Sequence, residues 1–132
     1  MRAVDTNVLV RLLTQDDPGQ AAAAEVFIAG GAWVSHVVLV ETIWVLDSVY
    51  GVKPENIAGA LDMLLDHQAL IVQDADIVTA AVAAYRRHPS VGFSDCLILE
   101  AARKAGCLPL GTFDRELAKL DGAQQIRGPF RV

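Results

Sequence analysis

Four carboxylates are the residues of this sequence whose types and spacing could do chemistry. Asp5 follows a short apolar stretch, and Glu41 interrupts a longer one. Asp95 and Asp114 each stand at the start of a helix-like segment. Hard divalent cations prefer carboxylate oxygens as ligands, and the His and Cys residues form no zinc motif. The set therefore predicts a site for Mg²⁺ or Mn²⁺, which could activate water for a hydrolytic reaction.

Glu41 is the carboxylate with the fewest structural explanations. It is the only charged residue in the ten from Val37 to Leu46. A carboxylate inside a buried helix is costly unless it is paired, protonated or bound to a metal. We therefore predict that the segment 37–50 forms a largely buried helix in which Glu41 is a metal ligand. A partly exposed helix end, or a pairing with arginine, is the alternative.

The other three carboxylates each have a structural alternative. Asp5 and Asp114 could serve as N-caps, because a helix-like segment follows each of them. Asp95 could be a first-turn aspartate favoured by the helix dipole, behind a cap at Ser94. Each of these carboxylates alone is weak evidence for a metal site, so the prediction depends on the four carboxylates lying close together.

Small polar and basic residues near the carboxylates could support such a site. Hydroxyl and amide groups can orient ligands or bind metal-bound water, and arginines can contact phosphate. The candidates for support are Thr6, Asn7, Ser94 and Thr112, and the candidate phosphate contacts are Arg11 and Arg115. Both arginines could equally be solubility charges on the surface.

The elements that must position these residues alternate between short strands and helices. Turn and cap signals predict strands at 2–4, 32–35, 70–72 and 109–112, and an edge strand at 124–126. Helical crossovers between short strands imply a parallel sheet of four or five strands covered on both faces. Ligands of such sheets bind at the carboxyl ends of the strands. Asp5 and Asp114 follow the first and fourth strands, so we expect both at one edge of the sheet.

Composition bounds the class of protein. The chain has 132 residues, enough for one domain with a real core. Hydrophobic residues make up 53%, which indicates either a large interior or an apolar face that meets another chain. The net charge of −5 is unfavourable for binding nucleic acid unless the acids converge on cations.

Localisation signals are few. No apolar run reaches the roughly 18 residues that span a bilayer, and the N-terminus lacks the pattern of a secretory signal. Cys96 and Cys107 form no CxxC pair, so we predict buried thiols in a reducing cytoplasm.

Four segments of the chain resemble a known family when they are taken together and in order. They are A-V-D-T-N-V-L at 3–9, V-L-V-E-T-I-W at 38–44, G-F-S-D-C-L-I-L-E-A-A at 92–102 and G-T-F-D-R-E-L at 111–117. In this order the segments resemble a PIN-domain ribonuclease, specifically a VapC-type toxin of a prokaryotic toxin–antitoxin pair. The resemblance covers essentially the whole chain.

The resemblance implies a single PIN-like nuclease domain over residues 1–132, folded as a three-layer α/β/α sandwich. It implies an endoribonuclease whose Mg²⁺ or Mn²⁺ is held by Asp5, Glu41, Asp95 and Asp114, with Thr112 as the supporting hydroxyl. It also implies an RNA substrate, a homodimer and a cognate antitoxin protein that covers the active site. The helices near 21–28 and 54–65 offer apolar surface for such partners, or they are ordinary core helices.

Other readings of the same residues stay open. A stand-alone RNA-processing PIN nuclease, or a PIN module that binds RNA or protein without cleaving, would keep the fold. A phosphatase with Asp5 as nucleophile would need a second aspartate where Asn7 stands. A receiver domain would need an acidic pair before its phosphorylated aspartate and a late lysine, and neither is evident. The sequence does not indicate which RNA is cut or how many metal ions bind.

Overall fold

Residues 1–129 are described by a computed structural model of the chain. The chain divides into two units, the first over Met1–Ala75 and the second from Asp76 onward. Each unit contains its own parallel sheet. The prediction of a single domain over residues 1–132 stays a prediction. Within the described residues, no helix combines the length and the apolar character that crossing a membrane requires.

The first unit is built on a three-stranded parallel sheet in the order β1-β2-β3. Local signals set its helix ends: Asp17 caps one helix through the Gln20 amide at 3.0 Å, and Ser35 caps the next through the Val38 amide at 3.1 Å. Its elements are β1 (Arg2–Ala3), α1 (Thr6–Thr14), α2 (Pro18–Ile28), β2 (Ala32–Val34), α3 (His36–Ser48), α4 (Pro54–Asp66) and β3 (Leu70–Val72).

The carboxyl ends of these strands carry polar residues, as the parallel topology requires. Asp5 follows β1, and Ser35 and His36 follow β2. Beyond β3, the Gln73 side-chain oxygen accepts the His36 amide at 2.9 Å, and the His36 ring Nε2 lies 2.7 Å from the Gln73 carbonyl oxygen. The ends of β2 and β3 are therefore tied to each other.

The helix α3 is buried on one face only, which corrects the prediction of a largely buried helix. Its buried residues are Leu39, Thr42, Ile43 and Leu46. On the opposite face Val37 is 75% exposed and Trp44 is 63% exposed. An apolar composition all round a helix does not tell a core helix from one that presents apolar surface.

The second unit carries a two-stranded parallel sheet, β4-β5. Its core includes the fully buried Cys96 and the Tyr85–Phe93 ring pair, which meets edge to face at 6.4 Å between centroids. Its elements are α5 (Ala75–Arg87), α6 (Phe93–Lys104), β4 (Leu110–Thr112), a 3₁₀ turn (Leu117–Lys119) and β5 (Ala123–Gln125).

Three sequence expectations need correction here. The five strands pair as a three-stranded and a two-stranded sheet rather than as one, so a shared sheet edge for Asp5 and Asp114 does not follow from the pairing. Ser94 does not cap α6, because the helix already begins at Phe93 after Gly92. Cys107 is exposed rather than buried, because it lies in the turn after α6. Neither cysteine forms a disulfide.

Candidate active site

Asp5 lies in the first unit, between the end of β1 and the start of α1. Its backbone is extended, and its Oδ1 accepts the Thr6 amide at 2.7 Å. The side chain is exposed, and Oδ2 accepts no hydrogen bond within residues 1–129. One carboxylate oxygen is thus held by the start of the helix while the other is available. Asn7, also predicted to support the site, is exposed on the same first turn of α1.

Thr6 carries the clearest unexplained polar atom. The residue is only 4% exposed, and its hydroxyl Oγ1 has no hydrogen-bond partner in the described part of the chain. Buried hydroxyls are nearly always satisfied, so an orphan of this kind calls for a water or an ion. Because Thr6 directly follows Asp5 in the chain, its hydroxyl fits the chemistry of a hydrated cation at this end of the sheet.

Glu41 also lies in the first unit, but its surroundings differ from those predicted. It is exposed on the outer face of α3, three residues before Trp44. It makes no hydrogen bond or ion pair within the described residues. The burial argument for its role is therefore wrong, since water already solvates this carboxylate. Its assignment as a ligand depends on the resemblance alone and stays a prediction.

Asp95 and Asp114 are brought together within the second unit. Asp95 lies in the first turn of α6 and is partly buried. Burial raises the pKa of its carboxyl above the ordinary aspartate value, and the negative charge of Asp114 adds to this rise. Two carboxylates that repel each other in this way are the donor set that a divalent cation stabilises.

Asp114 is fixed in place by the turn that follows β4. Its Oδ1 accepts the amides of Glu116 at 2.8 Å and Leu117 at 3.2 Å, as the sequence predicted for a cap. Its own amide donates to the Thr112 hydroxyl at 3.0 Å. Thr112 therefore does orient Asp114, through the backbone rather than through the carboxylate.

The four carboxylates divide between the two units, Asp5 and Glu41 in the first and Asp95 and Asp114 in the second. Among residues 1–129, no group of three or more His, Cys, Asp or Glu side chains is arranged to hold a metal ion. What the geometry does establish is one carboxylate pair and one orphan hydroxyl. The complete ligand set stays a prediction.

The two predicted phosphate contacts have different surroundings. Arg11 is engaged: its Nε donates to Gln20 at 2.6 Å, and its Nη1 donates to Asp16 at 3.1 Å and to Tyr50 at 3.3 Å. These contacts indicate that Arg11 ties α1 to its neighbours. Arg115 instead lines a cavity of about 530 Å³ in the second unit.

Sequence reasoning missed two other cations of this cavity, Lys119 and Arg127. Two spacings could have pointed to them. Lys119 stands four residues after Arg115, which puts both on one side of a helical turn. Arg127 stands two residues after Gln125, which puts both on one side of an extended segment.

The chain matches a known protein family. The family described as PIN domain matches residues 2–123, nearly the whole chain. No curated protein matches the sequence closely. PIN domains are generally nucleases, a class of hydrolase, and they typically use divalent metals. Within residues 1–129, the α/β architecture with parallel strands and six helices fits the same family. The chain therefore belongs to the PIN domain family.

Proposed function

We propose that this PIN domain is a metal-dependent endoribonuclease and the toxin component of a VapBC-type toxin–antitoxin pair. The observation that carries the proposal is the pair Asp95–Asp114, whose mutual repulsion is relieved by a bound cation. Within the first unit, the orphan hydroxyl of Thr6 next to Asp5 is available to a metal-bound water. The cation would be Mg²⁺ or Mn²⁺, because all the proposed ligands are oxygens.

Each residue has a defined task in this proposal. Asp95 and Asp114 would help to hold the cation, and the turn amides keep Asp114 in one orientation. Asp5 and Glu41 complete the set, with Glu41 also able to orient the attacking water. What a divalent cation supplies when bound is activation of that water and stabilisation of negative charge on the phosphoryl oxygens.

The proposed partners are a second copy of the chain and an antitoxin protein. Support comes from apolar side chains that the first unit leaves exposed: Val26 is 77% exposed, Met63 64% and Trp44 63%. Such surface is typical of protein interfaces. Light scattering of the purified chain should give a dimer mass, and a short reading frame for a DNA-binding protein should lie upstream of its gene. A nuclease-active monomer with no such neighbour would instead indicate stand-alone RNA processing.

The activity is tested by cleavage of a structured RNA in Mg²⁺ and in excess EDTA. We expect cleavage only with Mg²⁺, and we expect Asp95→Asn and Asp114→Asn each to lower the rate by about 100-fold or more, since each removes a ligand charge. Asp121→Asn is the matched control, because Asp121 is exposed in the same unit and is not in the proposed site. Equal cleavage in EDTA would refute the metal mechanism.

A further inference from the structure

The cavity of the second unit that holds Arg115 has an unusual lining. The described residues around it are Arg115, Ala118, Lys119, Gln125 and Arg127. Three of these five are cations, and none is acidic or aromatic. The chain as a whole carries a net charge of −5, so the positive charge of this lining is opposite in sign to the charge of the protein. Such a local excess of cations indicates a local function.

Two segments of the chain supply the cations from separate sides. Arg115 and Lys119 come from the turn that Asp114 clamps: the Asp114 carbonyl accepts the Ala118 amide at 3.0 Å, and its carboxylate accepts two further amides. A turn that is fixed at so many points holds both side chains on a rigid base. This pre-organisation lowers the entropy cost of binding an anion.

Arg127 comes from the continuation of β5. Thr112 pairs with Gln125 in the sheet, and the Ile126 amide then donates to the Thr112 carbonyl at 2.7 Å. This bond continues the pairing just past the end of the strand, and Arg127 follows directly as a lining residue of the cavity. Gly111 packs against the Ile126 side chain, whose Cδ1 would lie 2.7 Å from a Cβ at position 111. The segments that follow β4 and β5 thus both contribute cations to the cavity, and Asp114 directly precedes one of them, Arg115.

The cations differ in how far they are already neutralised. Lys119 pairs with Glu116 at 3.1 Å. The side chains of Arg115 and Arg127 make no hydrogen bond or ion pair within residues 1–129, and both are exposed. Guanidinium groups offer a planar fork of donors that matches phosphate oxygens. Two guanidinium groups without a partner among residues 1–129 line one cavity, which therefore suits an anion with several oxygens, such as a phosphate group.

We propose that this cavity, defined by Arg115, Lys119 and Arg127, binds the phosphodiester backbone of RNA next to Asp114. The proposal rests on the ribonuclease function proposed above, and it extends that function to how the strand is held. The described lining offers no aromatic ring on which a base could stack. Contacts to phosphate carry no sequence information directly, so binding here is independent of base sequence, and the exposed position of the cations suits a strand that passes across the cavity.

Binding of a fluorescent single-stranded RNA, measured by anisotropy in EDTA, tests the cavity apart from cleavage. We expect Arg115→Gln and Arg127→Gln each to weaken binding by about two- to fivefold. Each should lower the slope of log affinity against log salt by about 0.7, the value for one phosphate contact with a single strand. The losses should be equal for oligouridine and oligoadenosine. Lys119→Gln should cost less, because Glu116 already neutralises it.

Arg87→Gln is the control for a lost charge, since Arg87 is exposed at the end of α5 and does not line the cavity. Thermal unfolding of every variant checks that the fold is kept. Binding that is unchanged in the cavity variants, or reduced no more than in Arg87→Gln, would overturn the proposal. Displacement of the RNA by micromolar AMP would also overturn it, because it would indicate a small-molecule site.

The experiments distinguish a failure of the cavity proposal from a failure of the proposed ribonuclease function. If wild-type protein does not cleave RNA in Mg²⁺ but the two arginine variants lose binding, then the cavity stands and the nuclease proposal does not. If cleavage is present and the arginine variants bind as wild type, then only the cavity proposal is wrong.

Discussion

Replacing Thr6 by valine should stabilise the metal-free protein, which is unusual for a buried position. The side chain is only 4% exposed and its hydroxyl has no partner in the described chain. Leaving a buried hydroxyl unsatisfied costs about 1–3 kcal/mol. Valine keeps the shape and removes that cost, so Thr6→Val should gain about this amount in EDTA.

The gain converts to a measurable melting shift. The unfolding entropy is about 2.1 cal/mol/K per residue, which for 132 residues is about 0.28 kcal/mol/K. Each kcal/mol then moves Tm by about 4 °C, so the variant should melt about 4–11 °C above wild type. Differential scanning fluorimetry with an external dye, or circular dichroism at 222 nm, resolves such a shift.

Thr42→Val is the matched control. Thr42 is fully buried, but its hydroxyl donates to the Val38 carbonyl at 2.7 Å. Its loss should cost about 0.5–1.5 kcal/mol and lower Tm by about 2–5 °C. The two substitutions are chemically identical, so their opposite signs isolate the effect of hydrogen-bond satisfaction. If Thr6→Val in EDTA is destabilised as much as Thr42→Val, then the Thr6 hydroxyl has a partner in solution and the reasoning is refuted.

The same variant connects stability to the proposed metal. A ligand that binds only the folded state at 100 times its Kd stabilises it by about 2.7 kcal/mol. If the Thr6 hydroxyl contacts water on the cation, then Thr6→Val should gain less from Mg²⁺ than wild type does. An equal Mg²⁺ response in both proteins would separate Thr6 from the metal site.

Two further predictions concern titrating groups. Burial raises the pKa of the Cys96 thiol to about 11, whereas Cys107 is exposed. A thiol reagent should therefore label one cysteine per folded chain, and Cys107→Ser should abolish that labelling. Rapid labelling of two thiols would contradict this prediction. The raised pKa of Asp95 means that its carboxyl binds a proton more tightly in the folded chain than in the unfolded chain. The stability that the protonated carboxyl contributes is therefore full below the ordinary aspartate pKa, and it is lost as pH rises through the raised value. Urea unfolding of metal-free Asp95→Asn should show a gain over wild type at neutral pH that vanishes near pH 3, and a gain that is independent of pH would count against it.

Helix positions were predictable because their signals are local. Pro18 and the glycines at 30 and 31 are local signals for the ends of α2, which the structure has at Pro18–Ile28. Such caps depend on hydrogen bonds within three or four residues. Sequence alone therefore contains what is needed to place them.

Strand pairing and burial were less predictable because they depend on residues far apart in the chain. Nothing local distinguishes one parallel sheet from the observed pair of sheets. Glu41 shows the same limit: apolar neighbours suggested a buried helix, whereas its neighbours Val37 and Trp44 form exposed surface. The proximity of Asp95 to Asp114 could be expected only from the resemblance, since 18 residues separate them in the chain.

The exposure of α3 has a consequence for spectroscopy. The only two tryptophans of the sequence, Trp33 and Trp44, both belong to the first unit, and they are 39% and 63% exposed. Intrinsic tryptophan emission therefore originates in the first unit. Since Trp44 shares the outer face of α3 with Glu41, its emission is a native optical reporter for any cation or protein that approaches that carboxylate.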